Sequence, residues 1–272
     1  MLNIFIINDL MKNIWKAINH KLLPDFIIGG AMKSGTSTLH TILNHHPDIF
    51  IPSDEIHFFD IDNILQHHDF NFYENGKWVY QSMEKNSEKM WKWYHNKFEK
   101  HEHKIKGEDS TTYLTSKIAA KRIGLQDKKI KIIFVLRQPT LRAYSNYLHL
   151  LRSGRATLNF HDTLHHDPFM ILNRSLYLSQ LKDFYAHIPK ERIKILLFED
   201  LIKDSKKVLK TVCDFLEIDS NNIPKEAYNT HVNKSLYPKN LDLFLRFNSF
   251  RRKKRKSSYN KILPFNSSNN KR

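Results

Sequence analysis

Short apolar runs alternate with longer amphipathic segments along this chain of 272 residues. Residues 26–28, 129–136 and 192–198 are rich in branched apolar side chains and predict buried strands. Segments that begin near residues 36, 139, 177 and 206 place apolar residues at helical spacing. Because strands and helices alternate, the pattern predicts an α/β fold of three layers, a central parallel sheet with helices on both faces. Ligands of such folds bind at the carboxyl ends of the strands.

The domain organisation follows from the absence of internal repeats and of a Gly/Ser-rich linker. The length suits one sizeable domain. We expect a lead-in at residues 1–23 with an amphipathic helix near residues 14–18, one domain at 24–245, and a basic tail at 246–272. Weaker patterns within the domain predict a short strand at 48–52, a helix at 87–100 and a loop or lid at 153–168.

A glycine loop follows the first predicted strand. Gly29, Gly30 and Gly35 are three of only seven glycines, and a run of hydroxyl residues then opens a helix. Loop N–H groups and a helix N-terminus form a cradle for an anion. Gly30 and Gly35 have the spacing of a nucleotide P-loop, but Thr36 occupies the lysine position and the lysine comes earlier, as Lys33. The loop therefore resembles a P-loop in which the lysine has moved. The alternative interpretation, a strand-to-helix turn whose glycines serve only packing, stays open.

A second anion site is indicated where the strand at 129–136 ends. Arg137 stands at its carboxyl end and Ser145 lies about two turns along the next helix, so both side chains can reach one phosphate. An ordinary basic helix after a strand is the alternative interpretation.

A third chemical signal lies at residues 53–60. Glu55, His57 and Asp60 stand among Ile56 and two phenylalanines. Apolar surroundings raise the pKa of a carboxyl group, which suits a general base. Taken by itself, the segment also fits a surface turn with buried aromatic residues.

These motifs resemble those of the sulfotransferases that use 3′-phosphoadenosine 5′-phosphosulfate (PAPS), most closely the heparan sulfate branch and its bacterial relatives. The family has Pro-Asp-Phe-x-Ile-x-Gly before a Lys-x-Gly-Thr loop, matched at residues 24–36. Its Arg-x-Pro-x-x-Arg-x-x-Ser-x-Tyr motif matches at 137–147, and its Glu-Pro-His-Phe-Phe-Asp segment matches at 55–60 except for Ile56. The resemblance covers roughly residues 24–238.

The resemblance implies in-line sulfuryl transfer from PAPS, with the bisphosphate PAP as product and no metal ion. Arg137 and Ser145 would hold the 3′-phosphate. Glu55 would act as the catalytic base, and Lys33 would stabilise charge on the bridging oxygen of the departing nucleotide. The 5′-phosphosulfate would lie in the loop formed by Lys33, Ser34, Gly35, Thr36, Ser37 and Thr38.

Further roles are also carried over from the resemblance. Tyr177 would frame the nucleotide, and Lys234 would help to close its site. The side chains implied near the acceptor are His57 (also as a catalytic residue), Asp60, Asp109 and Tyr113. Asp109 replaces a lysine of the heparan enzymes, which argues against an acceptor identical to heparan sulfate.

Composition adds constraints on partners and compartment. A formal net charge of +16 indicates anionic partners. The single cysteine, Cys213, excludes an intrachain disulfide and a cysteine zinc site, and His67, His68, His101 and His103 lack regular ligand spacing. No stretch reaches the roughly 18–20 apolar residues of a membrane span. We therefore expect a cytoplasmic, bacterial-type enzyme without a transmembrane segment, or a Golgi protein only if an anchor is missing from the sequence.

The sequence thus predicts a sulfotransferase acting on a hydroxyl or amine of a glycan or another small acceptor, with no nucleic-acid partner. Two alternatives remain at this point. One is a P-loop kinase with a displaced lysine, which would need ATP and Mg²⁺. The other is a non-catalytic polyanion-binding protein on a degenerate transferase fold, with the basic tail as its working part.

Overall fold

A five-stranded parallel sheet forms the centre of the protein in a computed structural model, which describes residues 14–63, 66–67, 72–74, 77–79, 83–229, 238 and 240–254. The strand order is β2-β5-β1-β6-β7, and every pairing in this sheet is parallel. The strands are β1 (Phe26–Gly30), β2 (Ile49–Phe50), β5 (Ile105–Asp109), β6 (Lys131–Leu136) and β7 (Ile193–Leu197). The predicted α/β class and parallel sheet are confirmed.

Helices cover both faces of the sheet. Ile27 of β1 and Phe134 of β6 face one apolar cluster, whereas Ile28 and Val135 face the other, as the two-residue period of a strand requires. The helices are α1 (Thr36–Leu43), α2 (Met83–His95), α3 (Lys117–Gly124), α4 (Pro139–Arg152), α5 (Phe160–His166), α6 (Pro168–Ile171), α7 (Tyr177–Tyr185), α8 (Phe198–Lys203), α9 (Ser205–Leu216) and α10 (Leu241–Lys254). Helices α2, α3 and α7 pack on the first face, and α1, α8 and α9 pack on the second.

Three local predictions differ from the structure. The loop predicted at 153–168 contains helix α5, which begins with an Asn159 cap whose side chain accepts from the Asp162 N–H. The helix predicted at 87–100 begins earlier and ends at His95. An antiparallel hairpin of β3 (Phe72–Glu74) and β4 (Lys77–Val79) was not predicted, and it lies outside the parallel sheet.

Both predicted domain boundaries are crossed by packing. Trp15, within the predicted lead-in, is buried against Phe58, with the Arg122 guanidinium 3.4 Å from its ring centroid. Helix α10 runs through residue 245, and its Asn248 is buried. Within the residues described, none of the helices combines the length and the apolar character that a bilayer crossing needs.

Candidate active site

The glycine loop connects β1 to α1 at the carboxyl edge of the sheet. Lys33 and Gly35 both have positive φ, 69° and 86°. A Cβ on Gly35 would lie 2.7 Å from Phe198 Cδ2, so only glycine fits this close approach. Helix α1 begins at Thr36, and its first N–H groups have no acceptor within the helix. The loop thus turns tightly into the N-terminus of α1, and its binding of an anion stays a prediction.

Arg137 joins the second predicted anion site to this loop. It follows β6, and its Nη1 donates to the Lys33 carbonyl oxygen at 3.2 Å. Its guanidinium lies 4.5 Å from the ring centroid of Phe198, the residue that covers Gly35. The Tyr177 hydroxyl donates to the Arg137 carbonyl oxygen at 2.9 Å. Tyr177, Arg137 and the loop thus form one contiguous group.

Helix α4 carries Ser145 behind Arg137. The helix begins with Pro139 in its first turn and a Gln138 cap, whose side chain accepts from the Leu141 N–H at 2.6 Å. Ser145 lies on its buried side. Arg142, the other arginine of the motif, is fully buried. It donates to Ser175 Oγ at 2.6 Å and to the Ile171 carbonyl oxygen, so it braces the turn before α7.

Glu55 and His57 form an ion pair across the loop from Lys33. His57 Nε2 lies 3.2 Å from Glu55 Oε2, which also accepts from Thr111 Oγ1 at 2.7 Å. Burial by itself would raise the pKa of Glu55, but the hydrogen bond and charge of His57, with the Thr111 bonds, lower it to about 2. The expectation of a raised pKa is therefore wrong, because polar partners outweigh the apolar neighbours.

The electrostatics of His57 and Lys33 complete this picture. Burial would lower the pKa of His57, but the Glu55 hydrogen bond and charge, and then Asp60 and Glu108, raise it above its ordinary value. Each group therefore stabilises the charged form of the other. Burial and then Arg152 lower the pKa of Lys33, while Glu55 acts in the opposite direction. Lys33 and Glu55 are thus close enough to affect each other's charge.

Three side chains predicted to lie near the acceptor are buried and bonded to protein groups. Asp60 Oδ1 lies 2.8 Å from His67 Nε2, and Asp109 Oδ2 lies 3.2 Å from His40 Nδ1. The Tyr113 hydroxyl donates to Glu108. Burial, eased by the His40 hydrogen bond, raises the pKa of Asp109 to about 6. In this conformation these groups support the residues around the site, and their contact with an acceptor stays a prediction.

His57, Asp60 and His67 also form a group whose candidate ligand atoms all lie within 4.8 Å of one another, a spacing that a metal ion could use. Hydrogen-bond partners face both histidines and Asp60 Oδ1, whereas Asp60 Oδ2 is buried without one among the described residues. His57 Nε2 and Nδ1 lie beside Glu55 and Thr112, at 3.2 and 2.9 Å, and His67 Nε2 lies beside Asp60. We therefore describe the group as an acid–base network.

Sequence reasoning missed a basic cluster at the end of α4. Arg155 Nη2 donates to His149 Nε2 at 2.9 Å. Burial, followed by the charges of Lys33, Arg155 and Arg152, lowers the pKa of His149 to about 4. Helical spacing could have found two of these residues, because positions 145, 149 and 152 share one face of the helix. Lys234, predicted to help close the nucleotide site, lies outside the described residues.

Known proteins resemble this chain in sequence and in fold. The family described as "Sulfotransferase domain" matches residues 23–264. Heparan sulfate glucosamine 3-O-sulfotransferase 5 of Mus musculus is 28% identical over 209 residues, 72% of this chain and 54% of the relative. The bifunctional heparan sulfate N-deacetylase/N-sulfotransferase 1 of Caenorhabditis briggsae is 25% identical over 78% of this chain and 24% of its own length. This chain thus spans about half, or less, of these two relatives.

A solved structure agrees with these sequence matches. The sulfotransferase of Alicyclobacillus acidocaldarius superposes with a TM-score of 0.60 at 29% identity, covering 78% of this chain and 87% of its own. The sulfotransferase domain of the Synechococcus PCC 7002 olefin synthase has a TM-score of 0.50 at 17% identity and supports the fold alone. Since the family match extends over most of the sequence and includes both segments that are predicted to bind anions, the chain belongs to the sulfotransferase domain family.

Proposed function

We propose that this chain transfers the sulfuryl group of PAPS to a hydroxyl or amine of a glycan acceptor. The observation that carries the proposal is the contact between the two predicted anion sites. Arg137 bonds the Lys33 carbonyl oxygen, so the residues proposed to bind the 5′ and 3′ ends of one nucleotide lie at adjoining positions. The named relatives that act on heparan sulfate support a glycan acceptor.

The donor would lie along the carboxyl edge of the sheet. The loop of residues 33–38 and the first turn of α1 would hold the 5′-phosphosulfate, with Lys33 beside the bridging oxygen where negative charge develops. Arg137 and Ser145 would hold the 3′-phosphate, and Tyr177 would frame the nucleotide. Lys234 would help to close this site. Selectivity for PAPS over ATP would come from the 3′-phosphate contacts.

The acceptor would approach Glu55, whose side chain is 39% exposed. As the acceptor oxygen or nitrogen attacks sulfur, its proton would pass to Glu55, and the S–O bond to the nucleotide would break with the electron pair leaving on PAP. His57 would hold the carboxylate in place and balance its charge. The transferred group carries less negative charge than a γ-phosphoryl group, so this step requires no metal ion in principle.

Calorimetry with PAP and with adenosine 5′-phosphate tests the donor site. PAP should bind at least roughly tenfold more tightly, since a charged hydrogen bond contributes about 1.5–3 kcal/mol. Arg137→Ala should remove most of this difference. Lys190→Ala is the charge-matched control, because Lys190 precedes β7 at the opposite edge of the sheet. Equal binding of the two nucleotides by the unaltered protein would refute PAPS as donor.

Turnover tests the chemistry separately. Labelled PAPS is incubated with N-sulfated heparosan, unsulfated heparosan and chitosan oligosaccharides, which differ in the charge of the acceptor sugar. Glu55→Gln should reduce transfer at least roughly 100-fold while PAP affinity stays unchanged, as expected for loss of a general base. A non-catalytic polyanion-binding protein would bind the glycans without transfer, and a kinase would consume ATP with Mg²⁺ instead.

A further inference from the structure

Glu108 is a fully buried carboxylate beneath the base, and the proposed mechanism gives it no role. It lies on β5, where Ile27 is its partner in the sheet. Three hydroxyl groups surround it. Ser110 Oγ donates to its Oε1 at 2.7 Å, and the hydroxyls of Tyr94 and Tyr113 donate to Oε2 and Oε1. Burial raises the pKa of Glu108, while the hydrogen bonds from Tyr113, Tyr94 and Ser110 act in the opposite direction. Three donors match a carboxylate, which only accepts hydrogen bonds.

Two of these hydroxyls also hold the backbone of the segment that carries Glu55 and His57. Ser110 Oγ accepts from the His57 N–H at 2.8 Å, and the Tyr113 oxygen accepts from the Phe59 N–H at 2.9 Å. Each hydroxyl has a single proton, which it donates to Glu108. Its oxygen lone pair is then directed toward the backbone N–H and accepts from it. Glu108 therefore fixes the orientation of both hydroxyls, and the chain of bonds is polarised toward its charge.

The backbone that these bonds hold is strained. His57 has φ +54°, a left-handed conformation that is uncommon for residues other than glycine, although histidine adopts it more often than most. The two bonded N–H groups belong to His57 and to Phe59, so one bond fixes the backbone at the strained residue and the other fixes it two residues later. Such a conformation persists only where surrounding structure holds it, and it commonly occurs at functional sites.

Neighbouring hydrogen bonds hold the side chains of Glu55 and His57 against the segment that follows Glu108. Thr111 donates to Glu55 from both Oγ1 and N, at 2.7 and 3.3 Å, and Thr112 Oγ1 lies 2.9 Å from His57 Nδ1. The Ile56 N–H donates to the Asp109 carbonyl oxygen at 3.3 Å. Residues 55–59 are therefore bonded stepwise to residues 109–113, and Glu108 anchors the two steps that fix the backbone.

We propose that Glu108 is a positioning residue that, through Ser110 and Tyr113, holds the Glu55–His57 pair in its reactive conformation. Only the predicted effect on kcat rests on the proposed function. The other predicted effects concern the backbone at His57 and Phe59 and the effect of the Glu108 charge on the His57 pKa. Those quantities are measurable whether or not an acceptor is known.

The first experiment is NMR on the full chain with PAP bound. Ser110→Ala should speed amide exchange at His57, and Tyr113→Phe should speed it at Phe59, at least roughly tenfold in each case, because each variant removes the acceptor of that N–H. Glu108→Gln should also lower the pKa of the His57 imidazole, since the charge of Glu108 is one of the groups that raise it. Tyr94→Phe is the matched control. It removes one donor to Glu108 and leaves both backbone bonds and the charge in place.

The second experiment measures turnover with whichever glycan of the panel is sulfated. Glu108→Gln, Ser110→Ala and Tyr113→Phe should lower kcat roughly tenfold or more, with KM and PAP affinity changed less than about twofold, as expected for a misplaced base. Tyr94→Phe should stay within about threefold of the unaltered protein. The proposal would be overturned if all three variants had the same amide exchange rates and the same His57 titration as the Tyr94→Phe control. An unchanged kcat would also overturn it. Lack of transfer by the unaltered protein would refute the proposed function instead.

Discussion

In the proposed mechanism, the pairing of Glu55 with His57 governs reactivity at the scale of single residues. A base works best when its pKa lies near the working pH, yet the pKa of Glu55 is lowered to about 2. The pKa of its partner His57 is raised. The titrations of the two groups are coupled, so the basicity of Glu55 depends on the charge of His57. As His57 loses its proton at high pH, the proton affinity of Glu55 rises.

His57→Asn tests this coupling. The substitution removes the largest contributions that lower the pKa of Glu55 and leaves burial, which raises it. The acid limb of the pH profile of kcat/KM should therefore move to higher pH. His40→Asn is the matched control, because His40 pairs with Asp109 and not with Glu55. An acid limb at the same pH in both variants would contradict the coupling.

At the scale of elements, each strand end contributes one part of the site. β1 leads into the Lys33 loop, β6 ends at Arg137, and β5 leads into residues 110–113 that hold the base. Parallel strands place these ends at one edge, so three distant segments converge. Phe198, at the start of α8, contacts both the loop and Arg137 and so couples two of them.

Gly35→Ala tests this coupling of elements. The new Cβ would lie 2.7 Å from Phe198 Cδ2, and φ +86° would cost a further 1–2 kcal/mol or so. We expect lower stability and weaker PAP binding, because Phe198 must shift beneath Arg137. Gly154→Ala is the control, since φ is 73° there too, but Gly154 follows α4 away from Phe198. Calorimetry that finds equal PAP affinity in the two variants would rule out the coupling.

At the scale of the whole molecule, the end of the described chain braces the basic end of α4. A third apolar cluster joins α4 to α5, α6 and α10. Asn248 of α10 donates from Nδ2 to the carbonyl oxygens of Leu151 and Ala156, at 2.8 and 3.1 Å. The bonded residues flank Arg152 and Arg155 in the sequence, and the charges of these two arginines act on Lys33. Helix α10 thus supports the site although it contributes none of its predicted residues.

Asn248→Ala tests this support. Two buried carbonyl oxygens would lose their donor, at a cost of about 1–3 kcal/mol. The thermal midpoint should fall by roughly 2–6 °C for a chain of this size. Leu243→Ala serves as control, because Leu243 is exposed on the same helix. A calorimetric scan with no difference between the two variants would show that the Asn248 bonds contribute nothing.

Local patterns in the sequence were enough to predict much of the fold. Three core strands and helices α1, α4 and α9 carry apolar residues at spacings that only one kind of element satisfies. The hairpin of β3 and β4 and helix α5 were missed, because short polar segments take their conformation from capping and packing more than from periodicity. The domain boundaries stay a prediction, although Trp15 and Asn248, on the far sides of the two boundaries, are buried by distant partners that local patterns do not reveal.

The order of the amino acids specifies which chemical groups are present and which strand ends carry them: the Lys33 loop, Arg137 and the Glu55–His57 segment. How these groups behave depends on their arrangement in the folded protein. The pKa of Glu55 falls because His57 and Thr111 reach it, the latter from a segment 56 residues away, and Glu108 anchors that segment from the buried sheet. Hydrogen bonds and charges act through space over a few ångströms, and only folding sets those distances.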